Sequence, residues 1–164
     1  MLKLAEVNAM EPALFAQRLG GVFENSPWVA VRTASARPWP DREALLAALR
    51  GTVEQASEEE KIALIRAHPD LVGRAPLTNE SQAEQQAAGL GELSAEEAEQ
   101  FREHNRRYRE KFDFPFVICA RENKKSAILA AFPPRLQNSR AEEIQTALQE
   151  ICKIAALRLH DLVA

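Results

Sequence analysis

Cysteine and histidine are scarce in this sequence, and long apolar runs are missing from it. Of its 164 residues only two are cysteines and three are histidines. Cys119 and Cys152 stand far apart, with no CxxC and no Cys/His ligand spacing. That pattern excludes a disulfide framework and argues against a dedicated zinc site. Both cysteines read as small buried apolar residues of a reducing compartment. HExxH, GxSxG, a glycine-rich phosphate loop and an EF-hand pattern are absent as well, so the expected chemistry uses side chains and substrate, without a metal or cofactor. No apolar run approaches the ~20 residues that cross a bilayer. The opening Met1-Leu2-Lys3-Leu4-Ala5-Glu6 lacks a signal-peptide core, and Leu162-Val163-Ala164 is not a peroxisomal address. A cytoplasmic protein with no membrane partner is the expectation.

A basic surplus is missing too. Lys and Arg number 21 against 24 Asp and Glu, a formal net charge of -3, which leaves no electrostatic footprint for nucleic acid. Arg106-Arg107-Tyr108-Arg109 and Lys124-Lys125 sit among acids and read as solvated helix faces. What the chain does have is ordinary for a globular protein: 46% hydrophobic and 27% charged residues. Its length suits one domain, 1–164, able to bury a core unaided.

Helix punctuation dominates the sequence. Three Ser-x-x-Glu capping boxes, Ser57/Glu60, Ser94/Glu97 and Ser139/Glu142, open three helices. The first is expected to end at His68, because Pro69 disfavours a helical residue before it. The second runs to about Phe112, with Phe101, Asn105, Tyr108 and Phe112 on one side, and the third runs almost to the C-terminus. Further helices are expected from Asn8 or Met10 to Gly20, from Ser26 capping Pro27, from Asp41 to a stop at Gly51, and from Thr78 or Asn79 to Gly89. Phe114–Ala120 reads as a buried extended segment, followed by a helix that Pro133-Pro134 separates from the last one. The fold class is all-α, a single-domain bundle of about seven to nine helices.

Candidate chemistry concentrates after the first capping box. His68 stands at a helix C-terminus, where the dipole favours the imidazolium form; a C-capping histidine that satisfies loose carbonyls is the alternative. In the next helix, spacings of three and four put Ser81, Glu84, Gln85 and Ala88 on one face. An acid, an amide, a hydroxyl and a small residue suit a ligand better than a core, and Glu84 is a plausible acid/base partner for His68. In the last helix, Ile144, Leu148, Ile151, Ala155 and Leu162 form an apolar stripe on which Arg158 falls. A buried arginine needs a partner. Either it meets a buried acid, Glu84 among the candidates, or it offers a fork to a substrate carboxylate. His104 and His160 read as surface residues. A non-catalytic helical module that binds a metabolite or peptide in the His68/Glu84 groove is the alternative to an enzyme.

Four motifs in order carry a resemblance: His68-Pro69-Asp70-Leu71, Ser81-x-x-Glu84-Gln85-x-x-Ala88-Gly89-Leu90, Phe112-Asp113-Phe114-Pro115-Phe116-Val117 and Lys153-Ile154-x-x-x-Arg158-Leu159. With Asn8-Ala9-Met10 and Phe23-Glu24-x-Ser26-Pro27-Trp28, the chain resembles the OHCU decarboxylases, which act on 2-oxo-4-hydroxy-4-carboxy-5-ureidoimidazoline in urate degradation. The resemblance implies an all-α fold, commonly a homodimer, and cofactor-free decarboxylation to (S)-allantoin. It implies catalytic or substrate-contacting roles for His68, Glu84 and Arg158, and substrate contacts from Ser81 and Gln85. Pro69 would shape the pocket wall, and Phe116, Val117, Ile118, Cys119 and Ala120 would offer backbone N–H and C=O groups. Asp113 stands where the family more often has glycine.

Overall fold

Cap chemistry sets the start of five of the helices, those led by Asp41, Ser57, Thr78, Ser94 and Ser139. In the computed structural model, which describes residues Met1–Ala164, Asp41 accepts a 2.7 Å bond from the Ala44 N–H and opens α4 (Arg42–Glu54). Ser57 and Glu60 close a reciprocal box that opens α5 (Glu58–Arg66), and Ser94 with Glu97 does the same for α7 (Ala95–Phe112). Ser139 and Glu142 exchange both bonds at the start of α9 (Arg140–Leu162). Between these lie α1 (Leu4–Ala9), α2 (Pro12–Leu19), α3 (Trp28–Thr33), α6 (Asn79–Ala87) and α8 (Lys125–Leu136). Three single 310 turns and no strand complete the all-α architecture.

Two compact units make up the chain: Met1–Ala67 together with Cys152–Ala164, and His68–Ile151. In the first, Val7, Phe15, Leu19, Val29, Leu45, Leu49, Leu64 and Ile65 are all fully buried, and Phe15 stacks on Trp39 at 5.6 Å. Its two chain segments join at a bridge between Leu2 and Val163, where Leu2 N–H donates to Leu162 at 2.8 Å and Ala164 N–H to Leu2 at 2.8 Å. The second unit is built on aromatics. Phe101, Tyr108, Phe112, Phe114, Phe116 and Phe132 are buried, with Phe116 and Phe132 stacked at 3.9 Å between ring centres.

Several helix limits differ from the sequence reading, each for a local reason. The helix expected from Asn8 or Met10 starts only at Pro12, because Pro12 keeps Glu11 extended at φ -59° and ψ 149°, and a separate helix, Leu4–Ala9, precedes it. Ser26 makes no side-chain cap, and Pro27 occupies that position instead. α4 passes through Gly51 as far as Glu54, since its apolar stripe continues to the buried Val53 and offsets the ~1 kcal/mol glycine penalty. α8 likewise contains Pro133 and Pro134, held on either side by the buried Phe132 and Arg135. The predicted stop before Pro69 holds, but α5 ends at Arg66 with Ala67 as its cap, so His68 lies one residue beyond.

Candidate active site

Along α6 the coherent polar face is the inward one. Ser81 and Ala88 are buried, Glu84 and Gln85 are half-buried, while Gln82, Ala83, Gln86 and Ala87 are exposed. Thr78 caps the helix by accepting the Ser81 N–H at 3.2 Å, and Gly89 ends it at φ +85°, a conformation that glycine adopts without strain. What α6 packs against is the turn Ala120–Glu122. Two lysines tie the C-terminal end: Lys125 N–H donates to Ala88 at 3.1 Å and Lys124 Nζ to Ala87 at 2.8 Å. An acid, an amide and a hydroxyl are therefore turned inward on a helix with almost no aliphatic residues, as the spacing of three and four predicts.

His68 is 7% exposed, and the loop behind it is anchored at several points. Asn105 Nδ2 donates to the Leu71 carbonyl at 2.8 Å, Arg109 Nε holds the Asp70 carboxylate at 2.9 and 3.1 Å, and Val72 N–H donates to Gln85 Oε1 at 3.4 Å. Val72 has φ +57°, a left-handed conformation that strains a β-branched residue. Such strain persists only where surrounding contacts over-determine it. The Gln85 contact brings the loop after His68-Pro69 against α6.

The segment Phe116–Ala120 is buried throughout, without regular structure as far as Cys119 and entering the 310 turn at Ala120. Asp113, at φ 60° and ψ 32°, supplies the left-handed C-cap of α7 that a glycine would otherwise make, so the turn into Phe114 forms without one. Much of the segment's backbone is committed within the chain. Val117 C=O accepts from Arg135 Nη1 at 2.6 Å, Cys119 N–H donates to Glu150 Oε2 at 3.0 Å, and Cys119 C=O accepts from Asn123 Nδ2 at 2.9 Å. Asn123 N–H donates to Ala120 C=O at 3.2 Å. Among the five residues expected to offer backbone groups to a ligand, Phe116 and Ile118 are the two whose N–H and C=O both meet no partner within the chain. Burial pushes the Cys119 thiol up to about 11, with Glu122 adding to it, which makes it inert packing rather than a nucleophile.

Arg158 belongs to the first unit and is buried, as its place in α9 predicts. Within that unit it pairs with the buried acid Glu24: Nη1 lies 2.8 Å from Glu24 Oε2 and 3.2 Å from the Gly21 carbonyl. The buried face of α9 runs Glu143, Ala147, Ile151, Ile154, Ala155, Arg158, Leu159, and Ile144 and Leu148 are only half-buried.

The sequence reading passed over two buried acids and a buried base. Glu24 and Glu143 are 2% and 0% exposed. Glu143 binds Arg135 Nε, the Tyr108 hydroxyl at 2.6 Å and Asn138 Nδ2 at 2.9 Å. Burial, then the bond to Glu143, holds the Tyr108 phenol well above its usual range. Position 143 falls on the inward face of α9 with Ala147 and Ile151, a periodicity that could have found it. His104 is half-buried and stacked on Phe132 at 4.9 Å, so it is not the surface residue expected. Desolvation, with Arg107 nearby, lowers its pKa. His160 is exposed as expected.

Comparisons with known proteins give the chain a family. The family model described as OHCU decarboxylase matches residues 8–160. The chain is 42% identical to a 2-oxo-4-hydroxy-4-carboxy-5-ureidoimidazoline decarboxylase of Halalkalicoccus jeotgali, over 98% of this chain and 92% of the relative. Among solved structures, one of OHCU decarboxylase in the presence of (S)-allantoin superposes with a TM-score of 0.73 at 25% identity, covering 86% of this chain and 94% of that one. A crystal structure of (S)-allantoin synthase gives a TM-score of 0.81 at 28% identity, covering 99% of this chain and 54% of that one. On the family-model match over residues 8–160 and the 42% identity to a decarboxylase along nearly its whole length, the chain belongs to the OHCU decarboxylase family.

Proposed function

We propose that this protein decarboxylates 2-oxo-4-hydroxy-4-carboxy-5-ureidoimidazoline to (S)-allantoin. The observation that carries the reading is the inward polar face of α6, met by the loop that follows His68 through the Val72–Gln85 bond and by the turn that ends Phe116–Ala120. In this reaction the bond from the ring carbon to the carboxylate breaks, and its electron pair moves into the adjacent ring C=N. Carbon dioxide leaves as the ring nitrogen takes up a proton, giving an enol. The hydroxyl on the carbon that held the carboxylate then loses its proton to become the carbonyl while the adjacent, ureido-bearing carbon is protonated, a net uptake of one proton. The substrate is its own electron sink, so the protein's task is orientation, charge stabilisation and proton handling.

His68 and Glu84 are the proposed acid/base groups, acting on the substrate hydroxyl proton and the carboxylate environment. Ser81 and Gln85 bind and orient, Pro69 shapes the wall beside His68, and the Phe116–Ala120 backbone receives the ureido or ring atoms. Arg158, paired with Glu24, is proposed as an anion fork for the substrate carboxylate or carbonyl. We read the whole chain, 1–164, as one functional domain of a cytoplasmic homodimer in urate degradation. No helix is long and apolar enough to cross a membrane.

Because the substrate decays spontaneously, the informative assay is circular dichroism on freshly generated substrate. Wild-type protein should produce optically active (S)-allantoin, while His68→Ala and Glu84→Ala should fold yet leave only the racemic background. A wild-type protein giving only that background, or merely saturable binding without turnover, overturns the assignment.

A further inference from the structure

Two consecutive peptide groups around Ile118 are each gripped by a charged side chain from a different helix. The peptide joining Val117 to Ile118 has its carbonyl bound by Arg135 Nη1 of α8 at 2.6 Å. The next peptide, joining Ile118 to Cys119, has its N–H bound by Glu150 Oε2 of α9 at 3.0 Å. A trans peptide is planar, and its C=O and N–H point in opposite directions. Fixing the Val117 oxygen therefore aims the Ile118 N–H away from Arg135. Fixing the Cys119 N–H likewise aims the Ile118 C=O away from Glu150.

The same grips change strength as well as direction. A cation on a carbonyl draws electron density from its own amide and makes that N–H a better donor. A carboxylate on an N–H makes the carbonyl of that amide a better acceptor. Arg135 is itself held: its Nε binds Glu143, and its guanidinium lies 4.1 Å from the centre of the Phe116 ring, one residue before the peptide it grips. Glu143 is fixed in turn by Tyr108 and Asn138. Ile118 thus carries a donor and an acceptor, both oriented and polarised, in a buried segment.

We propose that Arg135 and Glu150 are positioning residues that aim the Ile118 N–H and C=O at the ureido or ring amide of the substrate. This rests on the decarboxylase reading above. A cyclic or linear urea presents N–H and C=O side by side, the complement of one residue's own pair. Neither charged side chain touches substrate; each acts through a peptide plane.

The test uses the full chain with Glu150→Ala, Glu150→Gln and Arg135→Lys, measuring KM, kcat, product optical activity and thermal stability for each. Losing one aligned hydrogen bond to substrate should raise KM of Glu150→Ala about 5- to 10-fold with kcat changed less. Glu150→Gln keeps an acceptor for the Cys119 N–H and should recover most of that loss. Arg135→Lys keeps the charge beside Glu143 but loses the fork, and should show the same raised KM. Variants with wild-type KM and only a lower melting temperature or a smaller active fraction overturn the positioning role while the decarboxylase reading stands. Absence of turnover in the wild type overturns both, and is read from that control alone.

Discussion

Replacing Glu24 by alanine tests the physics of the first unit most directly. The carboxylate is 1% exposed by its side chain and its partner Arg158 is 6% exposed, with 2.8 Å between the charged atoms. Removing the acid takes from this buried guanidinium its close carboxylate, while the bond to the Gly21 carbonyl remains. Breaking a buried pair from one side costs about 3–5 kcal/mol, because the remaining charge has lost its compensation. For a domain of this size each kcal/mol lowers the melting temperature by about 2–4 °C, so Glu24→Ala should melt roughly 6–20 °C below wild type. Urea denaturation followed by circular dichroism gives the free energy, and heating gives the midpoint. The double variant Glu24→Leu/Arg158→Met removes both charges and should regain most of the loss, since an apolar pair of similar volume can replace a buried ion pair. A loss below about 1 kcal/mol for Glu24→Ala would refute the reasoning, because surface pairs already reach that value. So would a double variant no more stable than the single one.

Two smaller perturbations follow. Arg32 binds Glu60 and, with the Ser57 backbone bond next in size, holds the Glu60 carboxyl at about 2 against an ordinary 4.5. A depressed carboxylate contributes its stability above its unfolded pKa and loses it as pH falls towards the folded value. The melting-temperature gap between wild type and Arg32→Gln should therefore be constant above about pH 5, shrink between roughly pH 4.5 and 2, and diminish with added salt, as both side chains are partly exposed. A gap that widens on acidification contradicts this sign. Gly73→Ala places a Cβ 3.1 Å from both the Asp70 side chain and its carbonyl oxygen. It should cost about 1–2 kcal/mol in urea denaturation and slow decarboxylation, because the same turn follows His68-Pro69. Neutrality in both measurements would show that the turn yields freely.

What could be read in the sequence was whatever is encoded within one or two helical turns. Ser57/Glu60, Ser94/Glu97 and Ser139/Glu142 were legible because each box closes over three residues. The inward face of α6 was legible because Ser81, Glu84, Gln85 and Ala88 repeat at the helical period. Arg158 was placed in the interior by the same periodicity, yet its partner was not, since nothing local couples position 158 to position 24. Arg135 was hidden behind Pro133-Pro134, which argue for a helix end and so obscure the face on which 135 lies. Val72 was unreadable for the opposite reason: a β-branched residue argues against the left-handed conformation that its neighbours impose. Pairings and strain set by distant segments have no signature in spacing.

The bridge between Leu2 and Val163 has a consequence for the order in which the chain is made. The second unit, His68–Ile151, is one uninterrupted stretch, whereas the first is interrupted by it. During synthesis every residue of the uninterrupted unit leaves the ribosome before Cys152–Ala164 is available. Closing so long a loop adds only a logarithmic entropy term, so the delay concerns timing far more than final stability. Until those last residues arrive, Glu24 waits without Arg158 and Leu2 without Val163. A nascent chain halted at Ile151 would hold the inward face of α6 and His68 while its first unit stood open, a stage at which the buried Phe15 and Leu45 surfaces are targets for chaperones.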